Sequence, residues 1–327
     1  MGSASSRGMA RRARALLATC ALALVALTSP AAAQTVLPPG PDTTLAPPGV
    51  APREDTYETA RGLGMGMGGR AGATGINAVA YNPANLPLVP LYHLEGYAAY
   101  FPGSGTISFG SAVADSITNR LAAGISARGI FGGSDGDDES QNYRGYDGRL
   151  SLGFPLSDRI AIGLSGRYLQ FRSRARNAAG ERVGSTNLRA FTLDAAARVT
   201  PAEGLHISAI GYNLIKTDSP LAPLQLGGGV SYTIREVVTL AGDAFADLTT
   251  FDDTRVIFGV GAEILLGEKV PLRVGYRRDD GRGLDQITAA LGYVERQLGA
   301  DLALRQDIGG DGTRRSELLF SFRYHVQ

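Results

Sequence analysis

Residues 316–326 read SELLFSFRYHV, and in this stretch Leu318, Phe320, Phe322, Tyr324 and Val326 alternate with Ser321, Arg323 and His325. Successive side chains of a strand point to opposite faces, so a period of two describes a strand with one apolar and one polar side. The pattern recurs upstream. Leu298, Ala300, Leu302 and Leu304 stand against Asp301 and Arg305; Val256, Phe258, Val260, Ala262 and Ile264 against Arg255, Gly259, Gly261 and Glu263; Val238, Leu240, Ala244 and Leu248 against Asp243 and Asp247. Fourteen candidate strands result: 91–101, 105–116, 120–131, 143–154, 159–172, 187–199, 205–215, 224–234, 237–249, 254–266, 270–279, 284–294, 298–306 and 316–326.

A soluble sandwich also alternates. Two features favour a transmembrane antiparallel β-barrel of about 14 strands, with 12 to 16 as the range. Tight turns at Ser157-Asp158, Pro201-Ala202-Glu203, Arg235-Glu236, Gly267-Glu268-Lys269 and Glu295-Arg296-Gln297 alternate with longer polar connections at 132–142, 173–186 and 307–315. Short inner turns and long outer loops are the signature of outer-membrane barrels. Aromatic residues also gather near strand ends, Phe154, Tyr232, Tyr293 and Tyr324 at the tight turns and Tyr146, Tyr168 and Tyr276 toward the loops, as two interfacial girdles require. Lipid cannot satisfy a free sheet edge, so such strands must close on themselves.

The other end of the chain agrees with export. Arg7, Arg11, Arg12 and Arg14 precede an apolar run from Ala15 to Leu27 that ends in Ala31-Ala32-Ala33, which reads as a secretory signal over 1–33. The run is too short for a membrane anchor, which needs roughly 20 residues. Removing the signal also removes Cys20, the single cysteine, so no disulfide or thiol site is expected in the mature protein, and takes the formal net charge from +1 to −3. Nothing in that balance suggests nucleic-acid binding. Residues 34–60 carry Pro38, Pro39, Pro41, Pro47, Pro48 and Pro52 and read as an extended periplasmic linker. A plug or hatch segment is assigned to 61–90 and the barrel to 91–327.

Within the plug, glycines at 62, 64, 66, 68 and 69 interleave with Leu63, Met65 and Met67, and Ala80-Tyr81-Asn82-Pro83-Ala84-Asn85-Leu86 follows. Asn82 suits a helix N-cap and Pro83 the first helical position, so a short helix is expected to start there and stop before Pro87. This Gly-Met-Gly-Gly stretch, its small-residue spacer and Asn-Pro-Ala before the first strand resemble the FadL-type outer-membrane transporters of hydrophobic compounds, a superfamily that includes the PorV-like proteins. The resemblance implies a fourteen-stranded barrel with an N-terminal hatch and hydrophobic ligands, fatty acids among them, passing through a lateral opening. It marks Gly68, Gly69, Asn82, Pro83 and Ala84 as hatch residues. The PorV-like branch implies an alternative, a non-transporting protein that holds or delivers a surface or secreted partner. The departures are the long Pro-rich linker, the end on Tyr324-His325-Val326-Gln327 and the short chain.

Other chemistry is not indicated. Gly64 to Gly69 fits a dinucleotide fingerprint formally, but no strand precedes it and the protein is exported. His93, His206 and His325 lack metal spacing, and no catalytic motif is present, so neither an enzyme nor a cofactor is expected. The acidic loop 135–139 reads as solvated. Polar faces of the strands place Arg149, Arg167, Asp194, Arg198, Asp243, Arg255, Glu263, Arg273, Asp301, Arg305 and Arg323 on the lumen, joined by Asp147, Asp247 and Arg277. They are expected to pair across the lumen and hold wall and plug. The expected surroundings are outer-membrane lipid, with a small hydrophobic ligand or a protein as partner. Peptide mapping of exported protein should find a mature N-terminus at Gln34; an intact residue 1–33 segment would overturn the signal assignment.

Overall fold

The computed structural model describes residues 59–102, 105–135, 139–177, 179–217, 222–309 and 316–326. The expected signal, the linker as far as Glu58 and the middle of the acidic loop lie outside the described residues. Fourteen strands follow a short N-terminal segment: β1 (Tyr92–Phe101), β2 (Thr106–Asp115), β3 (Ala122–Asp135), β4 (Glu139–Pro155), β5 (Ile160–Asn177), β6 (Arg182–Ala202), β7 (Leu205–Tyr212), β8 (Gln225–Ile234), β9 (Val238–Asp247), β10 (Arg255–Leu266), β11 (Val270–Asp279), β12 (Leu284–Val294), β13 (Leu298–Gly309) and β14 (Ser316–Val326). Each pairs antiparallel with its neighbours in sequence, and β14 returns to β1 in the register Tyr92↔Val326 to Tyr100↔Leu318. The barrel is closed.

Burial settles which face is which. On β14 Phe320 and Phe322 are each 51 % exposed while Ser321 between them is fully buried. Leu302, Val274 and Leu291 likewise point out, and Asp301, Arg273 and Thr288 point in. A soluble sandwich would bury the apolar set; this inside-out distribution is that of a barrel whose solvent is lipid. The tight turns adopt the backbone that two-residue hairpins need. Arg235 and Glu236 both have positive φ, as do Gly267 and Glu268.

Two expected loops are instead strand. The ladders β3–β4 and β5–β6 continue through Gly132↔Tyr143 to Asp135↔Ser140 and through Arg174↔Ser185 to Arg176↔Arg182. Both faces of a strand that leaves the bilayer meet water, so its polarity there carries no alternation to read. Conversely, β7 stops at Tyr212 instead of reaching residue 215, because Asn213 takes φ 54 and leaves the extended region.

The N-terminal segment lies against the inner wall. Thr59 caps α1 (Ala60–Gly64) by accepting from the Gly62 amide at 3.1 Å; a 3-10 turn at Arg70–Gly72, α2 (Ile76–Tyr81) and a second 3-10 stretch at Pro83–Leu88 follow. Asn82 caps the last of these and Pro83 opens it, as expected, but the stretch is 3-10 and passes through Pro87. The clash that bars proline from a helix interior is with the carbonyl four residues back, which belongs to the α form. α1 packs on β11–β14, α2 on β1–β4 and the Pro83–Leu88 stretch on β3–β6. Glycines in the wall make that approach possible. A Cβ on Gly163 would collide with the Ala84 amide nitrogen, and one on Gly261 with the Met65 carbonyl. Gly163→Val should therefore dislodge the segment, at a cost of about 1–3 kcal/mol typical of overpacking, and speed proteolysis within 59–90 at least tenfold. Gly166→Val, which faces outward toward Phe191 at 3.4 Å, should leave the cleavage rate unchanged.

Candidate functional site: the N-terminal segment and the lumen wall

Between Arg61 and Pro90 the only charged residues are Arg61 and Arg70. Each is committed to an acid of the wall. Arg61 donates through Nε and NH2 to the two carboxylate oxygens of Glu263 at 3.1 and 2.9 Å, a two-pronged pairing that fixes α1 on β10. Arg70 is placed by the backbone before it: Met67 has φ 65 and Gly69 φ 105, so the chain reverses twice and the arginine enters the lumen beside β9.

There its amide donates to Asp243 Oδ2 at 3.0 Å, its NH1 approaches the same oxygen at 3.3 Å, and its Nε donates to the Tyr212 hydroxyl at 3.0 Å. The guanidinium carbon lies 4.7 Å from the Phe245 ring centre, 5.4 Å from Tyr81 and 5.8 Å from Tyr212. Asp243 and Phe245 can lie flat because their cross-strand neighbours are Gly229 and Gly227.

The same arginine ties the hatch to itself. Its carbonyl accepts from Asn82 Nδ2 at 3.0 Å and Asn85 Nδ2 at 2.8 Å, and Asn85 also donates to the Ala71 carbonyl at 3.0 Å. Asn82 Oδ1 accepts from the Ala84 amide at 3.2 Å. Tyr212 closes the ring by donating to the Tyr81 carbonyl at 2.5 Å. Asn82, Pro83 and Ala84 thus form one knot with Arg70. Gly68 and Gly69 bring its backbone past β9 and β10, with the ideal Cβ of Gly68 3.2 Å from the Ala241 carbonyl.

Most of the charged wall residues fall into two groups, and Arg277 and Asp279 on β11 make a separate pair at 3.7 Å. On β3–β7, Asp147 binds Arg167 at 2.7 Å and Arg128 at 3.2 Å; Arg149 reaches Asp194 at 3.4 Å and donates to the Ala80 carbonyl of the hatch at 2.8 Å. Asn213, where β7 breaks, joins this group through Arg167 at 3.3 Å and the Asp194 carboxylate at 2.8 Å. On β10–β14, Arg273 binds Glu263 at 2.5 Å and Asp301 at 2.6 Å, and Arg323 binds Asp301 at 2.6 Å. Arg305 pairs with Glu317 nearby. Arg198 sits apart near the tight-turn end, donating to Thr200 at 2.6 Å. Arg255 shares its face with the buried Asp247, its cross-strand partner, but its side chain is 47 % exposed beside Asp253. It is the first residue of β10, at the loop end, where the alternation does not separate lumen from solvent.

A cavity of about 50 Å³ lies against the N-terminal segment, lined by Tyr81, Tyr212 and Phe245 and by Arg149, Asp243 and Arg282 among others. Sequence reasoning missed Arg70, Tyr81 and Tyr212. For Arg70 a signal existed, a lone cation in an apolar, glycine-rich segment; for Tyr212 none did.

No protein-family model matches the sequence, and no curated protein matches it. Solved structures do match. The toluene transporter TbuX of Ralstonia pickettii aligns over 83 % of this chain and 98 % of its own, with a TM-score of 0.63 at 13 % identity. A FadL homologue of Pseudomonas aeruginosa aligns over 82 % and 98 %, with a TM-score of 0.59 at 12 % identity. The toluene transporter TodX of Pseudomonas putida aligns over 81 % and 96 %, with a TM-score of 0.55 at 11 % identity. The closed fourteen-stranded fold is thus the one that the resemblance around Asn82-Pro83-Ala84 implied.

Removing one partner of a buried ion pair strands the other charge, at a cost of about 3–5 kcal/mol. Arg70→Ala should destabilise the folded barrel on that scale in denaturant titrations from lipid vesicles. Arg70→Met combined with Asp243→Leu should cost less than the two single changes together; strict additivity would show that the pair is not coupled.

Proposed function

We propose that this protein is an outer-membrane channel for small hydrophobic molecules, with the hatch as its gate. The observation that carries the reading is a cavity walled by Tyr81, Tyr212 and Phe245 together with Arg149, Asp243 and Arg282, resting on a hatch whose latch, Arg70, lies among the same three rings. A flat apolar molecule entering from the long-loop end meets the same ring faces, and passage requires the hatch to shift. Support comes from the fold shared with proteins described as toluene transporters and as a monoaromatic hydrocarbon channel. The cavity is small, about 50 Å³, so any ligand requires the hatch to move, and a fatty acid requires a larger movement than a single aromatic ring. The protein performs no reaction on its cargo in this scheme.

The PorV-like alternative, a non-transporting holder of a surface or secreted protein, draws on the two ion-pair groups that interrupt any continuous apolar path through the lumen.

Uptake of labelled toluene and of a labelled long-chain fatty acid should be measured in cells with an intact glycolipid outer leaflet, with and without the protein. At least one compound should accumulate about threefold faster with it, and Arg70→Ala should change that rate. No acceleration of either compound, together with a stoichiometric protein partner recovered from native membranes, would favour the alternative.

A further inference from the structure

The long hairpins β3–β4 and β5–β6 rise beyond the membrane on one side of the barrel, and just above their outward aromatic residues the described side chains include four arginines. On β4 the buried residues Gly145, Asp147 and Arg149 look into the lumen, so Arg144 and Tyr146 look out. By the same parity Tyr168, Arg172 and Arg174 on β5, and Arg189 and Phe191 on β6, look out. Tyr146, Tyr168 and Phe191 are 46 %, 42 % and 55 % exposed, with Tyr168 directly opposite Phe191, and they form the upper aromatic girdle on this side.

The arginines begin in its top row and continue above it. Tyr146 pairs with Gln170, which pairs with Arg189; the next outward row joins Arg144 to Arg172; Arg174 follows two residues on. Two residues along a strand are about 6.6 Å, so the four guanidinium groups share one patch at headgroup depth. Like charges directly opposite each other on a sheet are destabilising. Yet Arg144 and Arg172 face each other, and none of the four has an ion pair among the described residues. The intervening outward positions Asn142, Gln170, Ser185 and Asn187 are neutral. By contrast, every charged group of the lumen clusters described above has an opposite charge beside it.

We propose that Arg144, Arg172, Arg174 and Arg189 bind the phosphate-bearing headgroup of an outer-leaflet glycolipid. Guanidinium groups engage phosphate oxygens in pairs, and their position immediately above lipid-facing aromatic rings puts such a headgroup within reach while its acyl chains run down the barrel wall beside Tyr168 and Phe191. A soluble anion would have no reason to be read at this depth. The headgroup supplies the counter-charge that the sheet lacks, and it pins the projecting hairpins to the membrane surface.

The test uses the full chain in detergent micelles, with diphosphorylated lipid A and the same lipid stripped of its phosphates as probes, and retained lipid measured by native mass spectrometry. Wild-type protein should retain the phosphorylated form about tenfold better. The Arg144→Gln, Arg172→Gln, Arg174→Gln combination should abolish that preference, while Arg296→Gln at a tight turn should keep it. Inorganic phosphate at matched concentration should displace nothing. Equal retention of the two lipids by the wild type would overturn the proposal without recourse to any variant. Displacement by inorganic phosphate would overturn it in favour of a free-anion site.

Discussion

Lipid offers no hydrogen bonds, and the rest of this structure follows from that lack. Every strand N–H and C=O within the bilayer must find a partner in the next strand, and the last strand must find the first, as β14 finds β1. Closure leaves two unlike environments separated by a single layer of chain. The outer one accepts Phe320, Leu302 and Val274; the inner one buries polar and charged side chains such as Ser321, Asp301 and Arg273. What fills it is a mixture of chain and charge.

The filling is specific. Arg61 and Arg70 of the hatch meet Glu263 and Asp243 of the wall, and Arg149 of the wall meets the hatch backbone at Ala80. Buried ion pairs add little net stability compared with apolar packing, because both charges must be stripped of water, but a misplaced one is costly. A lumen built from such pairs therefore accepts one arrangement of hatch and wall and penalises the neighbouring registers. The wall glycines act in the same direction by geometry: the hatch backbone fits only where Cβ atoms are missing. The aromatic residues around Arg70 add a third element, a surface that suits a cation and a flat apolar ring alike.

How much of this was legible depended on whether a local rule applied. The period-two pattern of residues 255–264 and 316–326 located β10 and β14 to within a residue, because two solvents of opposite polarity impose it at every step. Asn82-Pro83 announced the start of the last hatch turn for an equally local reason, the needs of a helix N-terminus. The rule failed where the environment became uniform: the upper reaches of β3 to β6 are wet on both faces and looked like loops, and Arg255 at the start of β10 keeps the parity of the lumen face yet is exposed. The latch was hidden for another reason. Arg70, Tyr212 and Asp243 lie on three separate stretches of chain, and only the closed barrel brings them within hydrogen-bonding distance.

The ladder between β6 and β7 runs only from Ala195↔Gly211 to Ala202↔Leu205, and beyond it the two chains are joined by the Leu214 amide to the Leu193 carbonyl and by the Thr192 hydroxyl to the Ile215 carbonyl. A closed cylinder under tension parts where the fewest bonds act in parallel. The ladders around this barrel are uneven in length, with β5–β6 among the longest and β6–β7, immediately beside it, the shortest. Where that short ladder ends, Asn213 takes over, tying Arg167 and Asp194 on one side to the Pro223 carbonyl on the other, so that a single side chain and its amide splice the seam.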